Sequence, residues 1–378
     1  MHVLVVAGPR LTADTRLLEE VAAGEMAALG VSGRFAAVTD VDAFRAELDG
    51  AGGDQAVVAL PGPDLDARRL IGTPPACAAR TVWLDLARVG PLPAAGGAAH
   101  HQGRGVLGLV WAIRHAVHRT RRPARRVPYG GHADQWGELR LPAAGDGTPP
   151  PVAVLVHGGY WRSIWEADLM DALAIDLADR GYASWNLEYR RPDLYGWDAT
   201  TGDLATGLAA LETVDVPLDL DRIAVIGHSA GGQLALRLAA DKERVVADTP
   251  RAGTGMRRVA LAVSLAGVLD LVEGDRRHLG SGAVAAALGG TADRIPEVYA
   301  ASSPMERLPL GVPQLIVQGA SDDLDLLDIG RRYARAAGDE ATYLEAPGDH
   351  FAVIDPSSPI WKSTAEELAI RLDLHRPQ

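Results

Sequence analysis

Three residues that could together make a nucleophile lie far apart in this 378-residue chain. The first is Ser229, within RIAVIGHSAGGQLA at 222–235, where Gly227, His228, Ser229, Ala230 and Gly231 spell G-x-S-x-G between an apolar strand and a helix. That context holds a serine on a tight turn, its hydroxyl exposed at a sheet edge. A serine hydroxyl attacks a carbonyl only if a base takes its proton and an acid orients the base. In a strand-turn-helix setting of this kind the chain order is serine, acid, histidine. PQLIVQGASDDLD supplies Asp322 three residues after Gly319, with Asp323 and Asp325 as alternatives that otherwise read as helix caps. ATYLEAPGDHF then delivers His350 to a loop, and its neighbour Asp349 reads as a turn residue.

Attack on a carbonyl builds negative charge on oxygen, which preorganised N–H groups stabilise by several kcal/mol. VAVLVHGGYWRS at 152–163 offers such a loop, because Gly158 and Gly159 let the backbone turn sharply and approach an oxygen. The donors expected are the N–H groups of Gly159, Tyr160 and Ala230. Tyr160, Trp161 and Trp165, with His228 beside the nucleophile, form the expected substrate contacts, a flat apolar wall for an acyl or aromatic group. The other reading of these aromatics is packing against the sheet.

These residues need strands ending at one edge. Apolar runs at 136–141, 152–156, 183–188, 222–227, 258–265, 313–318 and 341–345 alternate with helical stretches near 165–180, 198–213, 230–240, 327–337 and 359–372. Continuously apolar strands separated by helices predict a mainly parallel sheet covered on both faces. Residues 274–310 break the rhythm and read as a cap over the site. Upstream lies a smaller alternation, strands at 3–7, 56–60 and 81–86 with helices near 15–29, 41–49 and 105–119. The expected division is a small α/β domain at 1–120, a basic linker at 121–128 and a larger α/β domain at 129–378.

Composition excludes several classes. The net charge of −12 argues against nucleic acid as a partner. A local exception runs between Asp85 and Asp134, which contains no acid but gathers Arg88, Arg104, Arg114, Arg119, Arg121, Arg122, Arg125 and Arg126. It reads as a solvated linker, with an anion-binding patch as the sharper alternative. Lysine occurs only at Lys242 and Lys362, an arginine bias typical of a GC-rich bacterial genome. Cys77 is the single cysteine, so no internal disulfide is possible and a reducing cytoplasm is expected. No leader-like or membrane-spanning apolar run occurs. His115 and His118 stand one helical turn apart and His100 adjoins His101, but no cysteine or carboxylate nearby completes a zinc set. No metal or cofactor is expected, and the expected partner is a small-molecule substrate.

From Tyr129 onward, HGGYWRS, EYRRPD at 188–193, GHSAGGQLAL at 227–236, SLAGVLDL at 264–271, GVPQLIVQGASDD at 311–323 and GDHF at 348–351 resemble the α/β-hydrolase superfamily, in the branch of kynurenine formamidase and related small-ester hydrolases. The resemblance implies an α/β-hydrolase fold and a serine hydrolase of esters or amides. In such relatives the acid loop continues with a valine-proline pair; here it reads DDLDLLDIG. A non-hydrolytic tailoring reaction of secondary metabolism and a scaffold without catalysis are the alternatives. In the first 120 residues, VLVVAGPR, VVALPGPD, TVWLDL and GVLGLVWAIRHAV resemble the skeleton of type II 3-dehydroquinate dehydratase, which implies a flavodoxin-like fold and homo-oligomerisation. That family's tyrosine- and arginine-bearing loop is missing, and Leu60 and Trp83 stand where its asparagine and histidine are expected, so this domain is expected to be catalytically inert.

Overall fold

The computed structural model describes residues 1–143, 147–241 and 259–372. Lys242, residue 258 of the expected strand and the last six residues lie outside them. The chain divides into two compact units, Met1–Pro123 and Ala124–Gln378.

In the first unit five parallel strands, β1 (His2–Ala7), β2 (Ser32–Ala37), β3 (Gln55–Leu60), β4 (Thr81–Asp85) and β5 (Ala99–Gln102), form a sheet in the order β2-β1-β3-β4-β5. That is the strand order of a flavodoxin-like sheet. The run VLVV in β1 is apolar throughout because both faces are covered. Val3 and Val5 join Leu18, Leu109 and Ile113 on one face, where the helices Thr15–Ala28 and Leu107–Arg121 lie. Leu4 and Val6 join Phe44, Leu48 and Trp83 on the other, against the helix Val41–Asp49. Both of the longer helices preceding β3 begin at aspartate caps, Asp14 and Asp40, whose carboxylates accept from first-turn N–H groups.

The second unit holds eight strands: β6 (Arg125–Pro128), β7 (Trp136–Arg140), β8 (Pro151–Val156), β9 (Ala183–Leu187), β10 (Asp219–His228), β11 (Val259–Leu265), β12 (Gln314–Gly319) and β13 (Ala341–Ala346). Their order is β13-β12-β11-β10-β8-β9-β7-β6, with β6–β7 and β7–β9 antiparallel and the other pairs parallel. The carboxyl ends of β8, β10, β12 and β13 therefore face one edge. Buried residues of the strands pack against the helices Trp197–Ala209, Ala230–Ala240 and Leu324–Ala337 in one apolar cluster.

The division between the units falls at Pro123/Ala124, within the expected linker at 121–128, but the second half of that segment is strand. Arg125–Pro128 is β6, paired residue by residue with Trp136–Leu139 of β7. The arginines there are exposed, as a solvated run would be: Arg121, Arg122, Arg125 and Arg126 all face outward, Arg126 reaching Glu138 at 3.0 Å and lying over the Trp136 ring. Among the described residues no helix is long and apolar enough to cross a membrane.

Candidate active site

The nucleophile turn is built by exclusion of side chains. A Cβ on Gly227 would stand 1.9 Å from the Gly231 carbonyl oxygen, and one on Gly231 would stand 2.2 Å from that of Val156. The strand, turn and helix pack so closely that only glycine fits at both places. Between them Ser229 is held at φ 54°, ψ −121°, a strained conformation for a residue with a side chain, costing roughly 1–3 kcal/mol. The Ser229 N–H donates to Leu265 O at 2.8 Å, and its carbonyl accepts from Gly232 N at 2.9 Å, so the turn is fixed on both sides.

The neighbouring loop shows the same economy. A Cβ on Gly158 would meet His228 O at 2.5 Å and Ser229 Cβ at 2.9 Å. Gly159 has φ +106°, and Tyr160 and Trp161 continue in the left-handed region at 51° and 56°. No hydrogen bond in the described structure uses the N–H groups of Gly159, Tyr160 or Ala230. Donors left without a partner near a serine are what developing oxyanion charge would use.

What keeps this loop strained is a buried network that motif reading left unassigned. His157 Nε2 lies 3.3 Å from Glu188 Oε1, its ring stacks on Tyr189 at 4.4 Å, and the Tyr189 hydroxyl donates to His157 O at 2.7 Å. Glu188 also accepts from Ala167 N at 2.8 Å and pairs with Arg191. Farther along, Ser163 N and Oγ both donate to Asp193. The EYRRPD segment thus clamps the HGG loop, a role visible in sequence only as proximity of charged and aromatic residues after β9.

At the third and fourth strand ends, Asp322 is buried and His350 Nδ1 donates to its carboxylate at 2.9 and 3.1 Å. Gln318 Nε2 and Asp323 N hold that carboxylate from the other side at 2.7 and 2.6 Å. Asp323 caps the helix Leu324–Ala337, accepting from Asp325 N at 2.8 Å, and Asp325 pairs with Arg277. Of the three candidate acids, Asp322 is the one at the imidazole. Asp349 caps the following turn through Phe351 N and Ala352 N.

A cavity of about 300 Å³ gathers Gly159, Tyr160, Ser229, Asp322 and His350 on its walls. No direct hydrogen bond joins Ser229 Oγ to the His350 ring; such links often tighten only around substrate. Trp165 and His228 also line it, with Phe351 of the GDHF motif and with Leu169 and Leu326, which no motif announced. His228 does more than line the wall. Its Nε2–H donates to His350 O at 2.9 Å, fixing the loop that carries the base. Burial, then the neighbouring His350, pushes its pKa down to about 3, so it stays neutral and this donor persists across the working pH range.

Two expectations fail here. Trp161 is not a cavity wall: it is 1% exposed, its Nε1 donates to Gln233 Oε1 at 3.1 Å, and it meets Trp197 edge-on. Tyr160 and Trp165 stay at the cavity. Nor does 274–310 line the cavity. It packs on the outside of the donor loop instead, where Gly280 O accepts from Arg162 at 2.7 Å and leaves no room for a Cβ against the Tyr160 ring.

With this geometry established, comparison with known proteins adds the family. The BD-FAE family model matches residues 138–326, half of the chain. Esterase LipC of Mycobacterium tuberculosis is 29% identical over 255 residues, 63% of this chain and 60% of that protein. Hydrolase LUC6 of a Fusarium species is 30% identical over 166 residues, 40% of this chain and 35% of that protein. The chain thus spans less than two thirds of these relatives. Among solved structures, inhibited esterase B of Lactobacillus rhamnosis aligns with TM-score 0.57 and 18% identity over 70% of this chain and 92% of its own. An esterase of Thermogutta terrifontis aligns with TM-score 0.53 and 19% identity, over 68% and 96%. These likenesses establish an α/β-hydrolase fold.

Proposed function

Because the chain belongs to the BD-FAE family, we propose that it is a serine-triad hydrolase cleaving an ester or amide of a small apolar or aromatic substrate. The observation carrying this reading is the strained Ser229 on the wall of the cavity that also holds the His350–Asp322 pair. Ser229 Oγ attacks the carbonyl carbon as His350 Nε2 takes its proton, and the imidazolium is steadied by the Asp322 carboxylate. The oxygen gains a full negative charge facing the N–H groups of Gly159, Tyr160 and Ala230. Collapse breaks the bond to the alcohol or amine, which leaves with the proton from His350. Water then adds to the acyl-enzyme by the same route, releasing the acid and restoring the serine.

The test is a fluorophosphonate probe together with a p-nitrophenyl butyrate assay. The native chain is expected to be labelled once, at Ser229, and to release nitrophenol in a burst, while Ser229→Ala loses the label and turnover falls at least about 10⁴-fold. An aryl formamide in the same panel examines the formamidase likeness. Labelling of Ser229 without turnover of any ester or amide would overturn hydrolysis in favour of a non-hydrolytic reaction.

A further inference from the structure

The cavity carries an acidic side chain that the triad does not use. Asp322 is committed to His350 and Gln318. Asp323, also on the cavity wall, directs one carboxylate oxygen to Asp325 N and has no basic partner among the described residues. No lysine or arginine lines the cavity. Arg277 is paired with Glu273, Asp325 and Asp328, while Arg162 donates to Gly280 O and lies over the Tyr160 ring without itself lining the cavity. The first turn of the helix Leu324–Ala337 would attract anions by its dipole, yet the Asp323 carboxylate caps it and opposes that field. The Tyr160 hydroxyl registers the result, since burial and then the Asp323 and Asp322 carboxylates raise its pKa.

Position assigns this charge to one part of the substrate. His350 gives its proton to the departing group, so that group lies on the His350 side of the cavity, and Asp323 directly follows the acid that holds His350. Trp165 and Leu169, from the segment after β8, supply apolar wall on which the acyl portion can lie. Resting on the hydrolase reading above, we infer that Asp323 is a specificity-determining residue that selects esters whose leaving group carries a positive charge and rejects those whose leaving group carries a carboxylate.

Three butyrate esters test this: butyrylcholine, its uncharged isostere 3,3-dimethylbutyl butyrate, and the butyrate ester of 4-hydroxybutanoate. At low ionic strength kcat/KM is expected to fall about tenfold from cation to neutral ester and again from neutral to anion, as one charge a few ångströms away in a partly solvated site dictates. Half-molar salt should shrink both steps. Asp323→Asn keeps the helix cap, since asparagine caps as well as aspartate, and should bring all three esters within about twofold of one another. Equal turnover of the three esters by the native chain, or a preference that survives in Asp323→Asn, overturns the inference alone. Failure to turn over even the uncharged ester overturns the hydrolase reading beneath it.

Discussion

Both units end their parallel strands in polar residues, but the two carboxyl edges leave those residues in opposite conditions. In the first unit Asp85, at the end of β4, accepts from Arg68 at 2.6 and 3.0 Å and from His100 Nε2 at 2.9 Å. His100 Nδ1 meets Leu92 N at 3.4 Å, and Gln102 Oε1 accepts from Val89 N at 3.0 Å. Each of these groups is satisfied by another. In the second unit the corresponding edge holds a strained serine, three unused N–H donors and a cavity. A histidine beside an aspartate occurs in both, so that pairing alone is not a sign of chemistry. What separates the edges is unfilled capacity: backbone strain and free donors persist only where surrounding packing enforces them.

The largest expected disturbance to this contrast falls on the second edge. Gly158→Ala introduces a Cβ 2.5 Å from His228 O and 2.9 Å from Ser229 Cβ, so either the donor loop or the nucleophile must move. Turnover of p-nitrophenyl butyrate is expected to drop about 10²-fold, the scale of losing one oxyanion donor. A far-ultraviolet dichroism spectrum should change little, while urea unfolding should show a loss of about 1–3 kcal/mol from the overpacked turn. Unaltered turnover would mean that the loop donors do not act on the substrate oxygen.

At the first edge the same logic predicts an effect on stability and none on turnover. Burial alone would raise the Asp85 pKa, but hydrogen bonds and charge from His100 and Arg68 outweigh it and hold the carboxyl below its usual value. A lowered folded-state pKa contributes stability that is complete above the unfolded value near 3.9 and is lost as pH falls through the folded one. Asp85→Asn should therefore cost about 2–3 kcal/mol at pH 7, read by urea unfolding, and the penalty should shrink on acidification below about pH 4. Ester turnover should stay within twofold. A loss of turnover matching that of Gly158→Ala would erase the distinction between the two edges.

The contrast also explains what sequence revealed. Strands buried on both sides announce themselves as apolar runs, and VLVV, AVVAL and VAVLV lie within a residue or so of the observed β1, β3 and β8. The three strands that gave no signal, SGRFAA, AHHQ and RRVP, are all sheet edges. An edge strand pairs on one side only and needs no apolar run to do so. Ser229, Asp322 and His350 were legible because motif, spacing and strand ends constrain backbone position. Side-chain direction is not constrained in that way, so Trp161 and Trp165 looked alike, and Leu169 and Leu326 left no trace.

Trp161 gives the smallest and most discriminating case. It belongs to the HGGYWRS loop in sequence and to the core in space, so Trp161→Phe separates holding the site from touching the substrate. The phenyl ring keeps most of the apolar contact but removes the donor to Gln233 Oε1, while Gln233 Nε2 still donates to Ser302 O at 2.8 Å. Loss of one buried hydrogen bond should cost about 1–2 kcal/mol in urea unfolding, with KM and kcat for short esters within twofold of native. Trp165→Ala, which removes cavity wall, should instead raise KM for apolar acyl chains about tenfold at little cost in stability. If the two tryptophans exchange these signatures, the loop presents the opposite ring to the substrate, and Tyr160 and Trp161 form the wall that their adjacency in sequence first implied.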